Sequence, residues 1–146
     1  MKKRLVSLAV LSVFLTVSAS LFAHHGTGTS YDLHKVLVLK GVVTRFNFAN
    51  PHSQLYFDVT DDQGKVVHWS AEMRNPHSMQ SYGYTKRVLL EKLAAGAAIT
   101  VTGNISKAGT PVLLFGKGVT ADGWCLCDHA GGPGSDAPGV VGTGRS

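Results

Sequence analysis

Alternating apolar and polar residues mark the middle of this chain as strand-rich. Two such runs, Gln54 to Thr60 and Lys65 to Met73, lie on either side of the tetrapeptide Asp61-Asp62-Gln63-Gly64. Alternation places successive side chains on opposite faces of a strand, and an Asp- and Gly-rich tetrapeptide favours a tight turn. The pattern therefore predicts a β-hairpin.

A longer alternating run precedes the hairpin. Residues 35–48 keep apolar residues on both parities, with Gly41 near the middle. A glycine inside a strand is typical of a bulge or bend, so we expect one long, strongly bent strand. The strand should end at Asn50-Pro51, because proline cannot donate a hydrogen bond to the sheet.

The apolar spacing changes to a helical one after a polar loop at residues 74–84. Thr85 can cap a short helix that continues to Ala95, and Gly96 can end it. Two further alternating runs, 98–105 and 110–119, predict the last two strands.

Three strands, a helix and two more strands follow one another in this interpretation. That order predicts an all-β domain with one short helix, folded as a five-stranded OB-like Greek-key barrel. Closing the barrel hides the sheet edges that such a small domain would otherwise expose. An open five-stranded sheet is the alternative.

The two ends of the chain differ in composition from the barrel. Residues 1–23 combine a basic start, an apolar stretch and a small residue at Ala23, as in a secretory signal peptide. We expect a flexible arm at 24–34, the barrel at 35–121 and a glycine-rich disordered tail at 122–146. The predicted location is periplasmic or secreted, with no stable membrane insertion after cleavage.

Charge argues against nucleic acid as a partner. The chain has 14 Lys and Arg, three of them in residues 2–4, against 9 Asp and Glu. Without the leader the excess positive charge is small, whereas tracking phosphates needs a dense basic face. A protein partner in the periplasm is left open. All seven histidines, by contrast, follow residue 23.

Several short motifs together resemble a family of small exported bacterial proteins known only as a domain of unknown function. They are His24-His25, Lys40-Gly41-Val42-Val43-Thr44, Phe48-Ala49-Asn50-Pro51-His52, Asp58-Val59-Thr60-Asp61, Gly64-Lys65, Trp69-Ser70-Ala71-Glu72, Gly83-Tyr84, Gly96 and Thr100-Val101-Thr102-Gly103. The chain departs from the usual pattern at Phe48, Ala97 and Asn75-Pro76-His77. The resemblance implies export and an OB-like fold, and it implies no chemistry.

Three histidines form the first candidate metal site. Cleavage after Ala23 would leave His24 with a free amino group, followed by His25, and His52 follows a proline in a rigid turn. Amine and imidazole nitrogens suit a transition-metal ion, copper(II) above all. The alternative is that these histidines make ordinary hydrogen bonds.

A second candidate lies near the C-terminus, where Cys125, Cys127 and His129 are closely spaced. Two thiolates and an imidazole suit a soft ion such as copper(I). In an oxidising compartment the two cysteines could instead form a disulfide. The second Asn-Pro-His, at residues 75–77, favours a turn over a further metal ligand.

The remaining candidates point to binding rather than catalysis. Phe48, Tyr56 and Trp69 could form an aromatic contact surface, and Glu72 is an acidic residue within an apolar run. We expect Glu72 to be either a perturbed carboxyl group or a simple partner of Arg74 or Arg45. No catalytic triad, phosphate loop or pair of carboxylates is present, so we predict that the protein is not an enzyme.

Overall fold

The structure, a computed structural model, describes residues 27–127. The chain divides into two compact units, one ending at Ser30 and the other starting at Tyr31. The described part of the first unit is a single helical turn, α1 (Thr27–Ser30). The helices, strands and contacts described from Tyr31 onward belong to the second unit.

The described part of the second unit, residues 31–127, contains six strands and two helices. They are β1 (Tyr31–Asn47), β2 (Gln54–Thr60), β3 (Val66–Glu72), α2 (Pro76–Ser81), α3 (Lys86–Lys92), β4 (Ala98–Ser106), β5 (Val112–Thr120) and β6 (Cys125–Cys127). The sheet order is β3-β2-β1-β4-β5-β6, and a parallel pairing of β3 with β5 closes a five-stranded barrel. The predicted closed barrel is confirmed.

Strand β1 is long because it pairs with two different strands along its length. Its first part pairs with β4 and its last part with β2, and the exchange takes place at Val42. A Cβ atom on the preceding Gly41 would collide with the carbonyl oxygen of Asp58. Glycine is therefore required there for the close approach of β2 to the bending strand.

The hairpin prediction is confirmed in detail. Strands β2 and β3 pair in regular antiparallel register from Gln54–Glu72 to Thr60–Val66. In β2, Leu55 and Phe57 are fully buried in the core, while their neighbours along the strand are partly exposed. This burial stabilises the barrel through the apolar surface removed from water.

Helix α2 lies where the sequence predicted a loop. Asn75 accepts a hydrogen bond from the backbone nitrogen of Ser78 at 2.8 Å, and Pro76 occupies the first turn. Asn-Pro is compatible with a turn, but it is equally compatible with a capped helix start. Backbone N–H groups in the first turn of a helix have no partner within the helix, so the missing N–H of proline costs nothing there. Buried Met79 then anchors this helix in the core.

Helix α3 starts where predicted but ends earlier. Thr85 caps it, while its last residue is Lys92 and not Ala95. Within residues 27–127, no helix is long and apolar enough to cross a membrane.

The boundaries predicted for the arm and the tail also need correction. Strand β1 begins at Tyr31, so residues 31–34 belong to the sheet. At the other end, Cys125–Cys127 form β6 on the free edge of β5, with Leu126 in the core. Composition alone favoured disorder here because glycines dominate the last 25 residues.

A hydrogen-bonded turn explains why the chain stays ordered as far as β6. Asp122 accepts hydrogen bonds from the Thr120 hydroxyl at 2.5 Å and the Trp124 backbone nitrogen at 3.2 Å. Its other carboxylate oxygen is 2.5 Å from Nζ of Lys92 on α3. These bonds, led by the one from Lys92, hold the pKa of Asp122 below its ordinary value.

If β6 is part of the core, Leu126→Ala should destabilise the protein strongly. Leu126 is 2% exposed, and removing a buried leucine side chain costs about 2–5 kcal/mol of unfolding free energy. Urea denaturation measures the change. The matched control is Leu90→Ala, whose side chain is 44% exposed and should change stability by only about 0.5 kcal/mol or less. Equal effects of the two substitutions would contradict the placement of β6.

Candidate functional site

The outer face of the β2–β3 hairpin carries a row of polar side chains. In the register of the hairpin, Asp58 lies opposite His68, and Gln54 lies opposite Glu72. Alternation puts His68 and Glu72 on the same face of β3, because they are an even number of residues apart. The buried Ala71 points the other way, into the core.

At one end of this face, Glu72 connects two side chains from different parts of the chain. The Tyr31 hydroxyl donates a hydrogen bond to Oε2 of Glu72 at 2.7 Å. Nδ1 of His52 is hydrogen-bonded to Oε1 of the same carboxylate. His52 thus lies in the loop between β1 and β2, and Tyr31 is the first residue of β1.

This arrangement determines which nitrogen of His52 is available. When Nδ1 carries the proton and donates a hydrogen bond to Glu72, Nε2 is unprotonated and its lone pair can bind an external group. The His52 side chain is 50% exposed, so a ligand can reach it from solvent. A carboxylate behind a histidine fixes the ring orientation and raises its strength as a donor, as in many metal sites.

Tyr31 is the buried end of the cluster. Its side chain is 6% exposed. Burial, followed by the hydrogen bond to Glu72 and the charge of that carboxylate, raises the pKa of Tyr31 above its ordinary value of 10.0. The tyrosine therefore remains a hydrogen-bond donor that holds Glu72 in position.

A second histidine–carboxylate pair lies at the other end of the hairpin. Nδ1 of His68 is 2.6 Å from Oδ1 of Asp58, and the His68 side chain is largely exposed. Nearby, the guanidinium carbon of Arg45 lies 4.1 Å from the ring centroid of Tyr56. These side chains and Trp69 line an open groove of about 560 Å³.

The structure brings only some of the predicted binding residues together. Tyr56 and Trp69 share the groove, while Phe48 stacks at an angle against Phe46, with ring centroids 6.2 Å apart. Glu72 bonds His52 and Tyr31, and Arg45 stacks on Tyr56. Phe48 is therefore not among the residues that line this groove, and the aromatic contact surface stays a prediction.

The predicted metal ligands are only partly covered by the structure. His24, His25 and His129 lie outside the described residues. Within residues 27–127, no group of three His, Cys, Asp or Glu side chains is arranged to hold a metal ion. His52 is thus the described member of the first predicted set, and Cys125 and Cys127 are those of the second.

The two cysteines are both free thiols on β6. Burial, followed by the hydrogen bond that the Cys127 thiol donates to Cys125 and by the charge of that neighbour, raises the pKa of Cys127 to about 11. The backbone nitrogen of Cys127 donates to the hydroxyl of Tyr84 at 3.2 Å. Cys127 faces a small apolar cavity whose wall also includes Met73 and Met79.

Sequence reasoning missed Tyr31 and the two methionines. Tyr31 fell in the region interpreted as an arm, and nothing in its spacing relates it to Glu72. Met73 ends an apolar run, and its meeting with Met79 depends on α2, which was not predicted. Only the three-dimensional arrangement identifies these contacts.

Comparison with known proteins identifies a family but no activity. Residues 12–114 match the model of a protein family described as "Family of unknown function (DUF6152)". No match was found among curated proteins.

The cluster predicts a specific response to alkaline pH. Because the pKa of Tyr31 is raised by folding, folded protein holds this proton more tightly than unfolded protein does. Folding stability should therefore fall as the pH rises above about 10, the ordinary tyrosine value. Unfolding by urea at pH 8 to 11.5 should show a smaller decline for Tyr31→Phe. Tyr56→Phe, on the exposed face, should retain the full decline, and identical profiles for the wild-type protein and Tyr31→Phe would refute the assignment.

Proposed function

The chain belongs to DUF6152, a family of unknown function, and we propose from its site that it is an exported binding protein for a transition-metal ion, preferentially copper(II). His52 is the donor in the barrel. The observation that carries the proposal is the bond between Glu72 and Nδ1 of His52, which leaves Nε2 unused by Glu72 on a side chain that is 50% exposed.

The surroundings of His52 favour a metal donor over a purely structural histidine. A structural histidine commonly satisfies both ring nitrogens within the protein, whereas the described contacts of His52 use only Nδ1. Glu72 is itself held by Tyr31, so the imidazole is supported by two successive hydrogen bonds. Such outer partners increase metal affinity because the ligand need not be ordered on binding.

Copper(II) is the preferred ion because of the donor set. Imidazole nitrogen binds copper, zinc and nickel, and copper(II) forms the most stable complexes among the divalent ions of this series. The other donors in this proposal are the amine and imidazole of His24 and the imidazole of His25. They lie outside the described residues and remain predictions from the sequence.

Export and the absence of catalysis complete the proposal. The basic and apolar composition of residues 1–23 supports a signal peptide, and cleavage after Ala23 would create the terminal amine of His24. A periplasmic or secreted protein encounters free metal ions directly. Glu72 has both carboxylate oxygens engaged in hydrogen bonds, which suits orientation of a ligand better than proton transfer.

The groove supports a second candidate function, recognition of a small anionic ligand. Arg45 has no carboxylate partner among the described ion pairs, and its guanidinium is spread over the Tyr56 ring. A stacked guanidinium keeps its outward N–H groups free for a carboxylate. Trp69 also lines the same groove.

The copper proposal predicts that His52→Ala weakens copper(II) binding. Protein purified from the periplasm would first be sequenced from its N-terminus, which should be His24. Isothermal titration with copper(II) then compares the wild-type protein with His52→Ala and Glu72→Gln. Losing the outer partner in Glu72→Gln should lower affinity by about 10- to 100-fold, and losing the donor in His52→Ala should lower it at least as much.

The control for this titration is His68→Ala, which removes a histidine that also has a carboxylate partner on the same hairpin. It should leave copper affinity unchanged. An N-terminus other than His24, or equal affinity of wild-type protein and His52→Ala, would overturn the proposed site.

The groove hypothesis predicts binding of a small aromatic carboxylate. Benzoate, titrated into labelled protein, should shift the indole N–H signal of Trp69 in NMR spectra and leave that of Trp124 in place. Arg45→Ala should abolish the shift because the ion pair with the carboxylate is lost. A shift that persists in Arg45→Ala would exclude the guanidinium as the recognition element.

A further inference from the structure

Sulfur-containing side chains are concentrated in one part of the barrel. The described residues include four of them, Met73, Met79, Cys125 and Cys127. Three of the four line the same cavity, and Cys125 is two residues before Cys127 on β6. They come from three separate segments: the residue directly after β3, helix α2 and strand β6.

The cavity is small and is lined largely by apolar side chains. Its volume is about 20 Å³, and a space of that size accommodates one water-sized sphere. Met73, Met79 and Cys127 are each 4–6% exposed. A bulky organic ligand therefore does not fit, whereas a single ion does.

The donor atoms select a soft ion. Two thioethers and one thiol are the ligands that copper(I) prefers, while harder divalent ions prefer nitrogen and oxygen. Methionine is also a common filler of apolar cores. The combination here indicates more than the packing of a core, because both methionines that follow the leader line one ion-sized cavity together with a cysteine.

Charge favours a monovalent ion over a divalent one. Arg74 also lines the cavity, and its guanidinium carbon lies 5.7 Å from the ring centroid of Tyr82. A monovalent ion bound by one thiolate and two neutral thioethers has no net charge. A divalent ion with the same ligands would leave an uncompensated positive charge buried near Arg74, which is costly.

We propose that Met73, Met79 and Cys127 form a binding site for one copper(I) ion inside the barrel wall. The ion binds the two thioether sulfurs and the Cys127 sulfur, and the thiol proton is released to solvent, so no electron is transferred. This site is separate from His52 and does not depend on the proposed function above.

The test is binding of copper(I) under anaerobic conditions, in competition with a chromogenic copper(I) chelator. The protein is the exported chain carrying His52→Ala, so that the His52 imidazole does not contribute to binding. Cys127→Ser and the double variant Met73→Leu/Met79→Leu should each weaken binding by at least about 10- to 100-fold, the loss typical of removing even an outer metal partner. Leucine keeps a similar volume, so the double variant should stay folded.

Silver(I), a redox-inert substitute for copper(I), gives a direct readout of the ligands. Both methionine methyl signals should shift when one equivalent is added to protein with labelled methionine methyl groups. Cys125→Ser is the matched control, because Cys125 does not line the cavity, and it should retain both the shifts and the copper(I) affinity.

Two results would overturn the site. Equal losses in Cys125→Ser and Cys127→Ser, with full affinity in the methionine double variant, would show an exposed dithiol and no thioether ligands. Unchanged methyl signals at saturating silver(I) would exclude Met73 and Met79. Neither result bears on copper(II) binding by His52. That binding is measured in a separate titration, with proteins that keep both methionines and both cysteines.

Discussion

The parallel pairing of β3 with β5 is the interaction on which the rest of the structure depends. Ser70, Ala71 and Glu72 pair with residues 112–114, and this short contact turns a sheet into a closed barrel. The same contact fixes the end of β3, from which Glu72 reaches Tyr31 and His52. Closure and the geometry of the candidate site therefore have a common origin in three residue pairs.

Strand alternation separates the two proposed metal sites. Glu72 and Met73 are neighbours in sequence, yet Glu72 bonds the half-exposed His52 side chain and Met73 is buried in the core. Adjacent side chains on an extended chain point in opposite directions. A nitrogen site that suits copper(II) and a sulfur site that suits copper(I) can thus share one strand without sharing a ligand.

The sequence predicted the elements better than it predicted their contacts. The alternation around Asp61–Gly64 defined the hairpin, and Thr85 marked a helix start, because both signals are local. Glu72 was identified as unusual, but its partners were not, since Tyr31 is 41 residues away. Asn75-Pro76 was ambiguous between turn and cap, and Cys125–Cys127 was obscured by the surrounding glycines. Contacts of that kind depend on closure, which no short window of residues contains.

The order in which the strands occur along the chain constrains how the barrel can form. The closing contact of the barrel joins residues 70–72 to residues 112–114. The first part of β1 pairs only with β4, which lies about 60 residues later in the sequence. A polypeptide emerging from the ribosome thus has its hairpin long before it has a core. Until β5 appears, β1 and β3 both have unpaired edges, which are prone to aggregation. Completion of this fold therefore requires the chain to be available at least as far as β5.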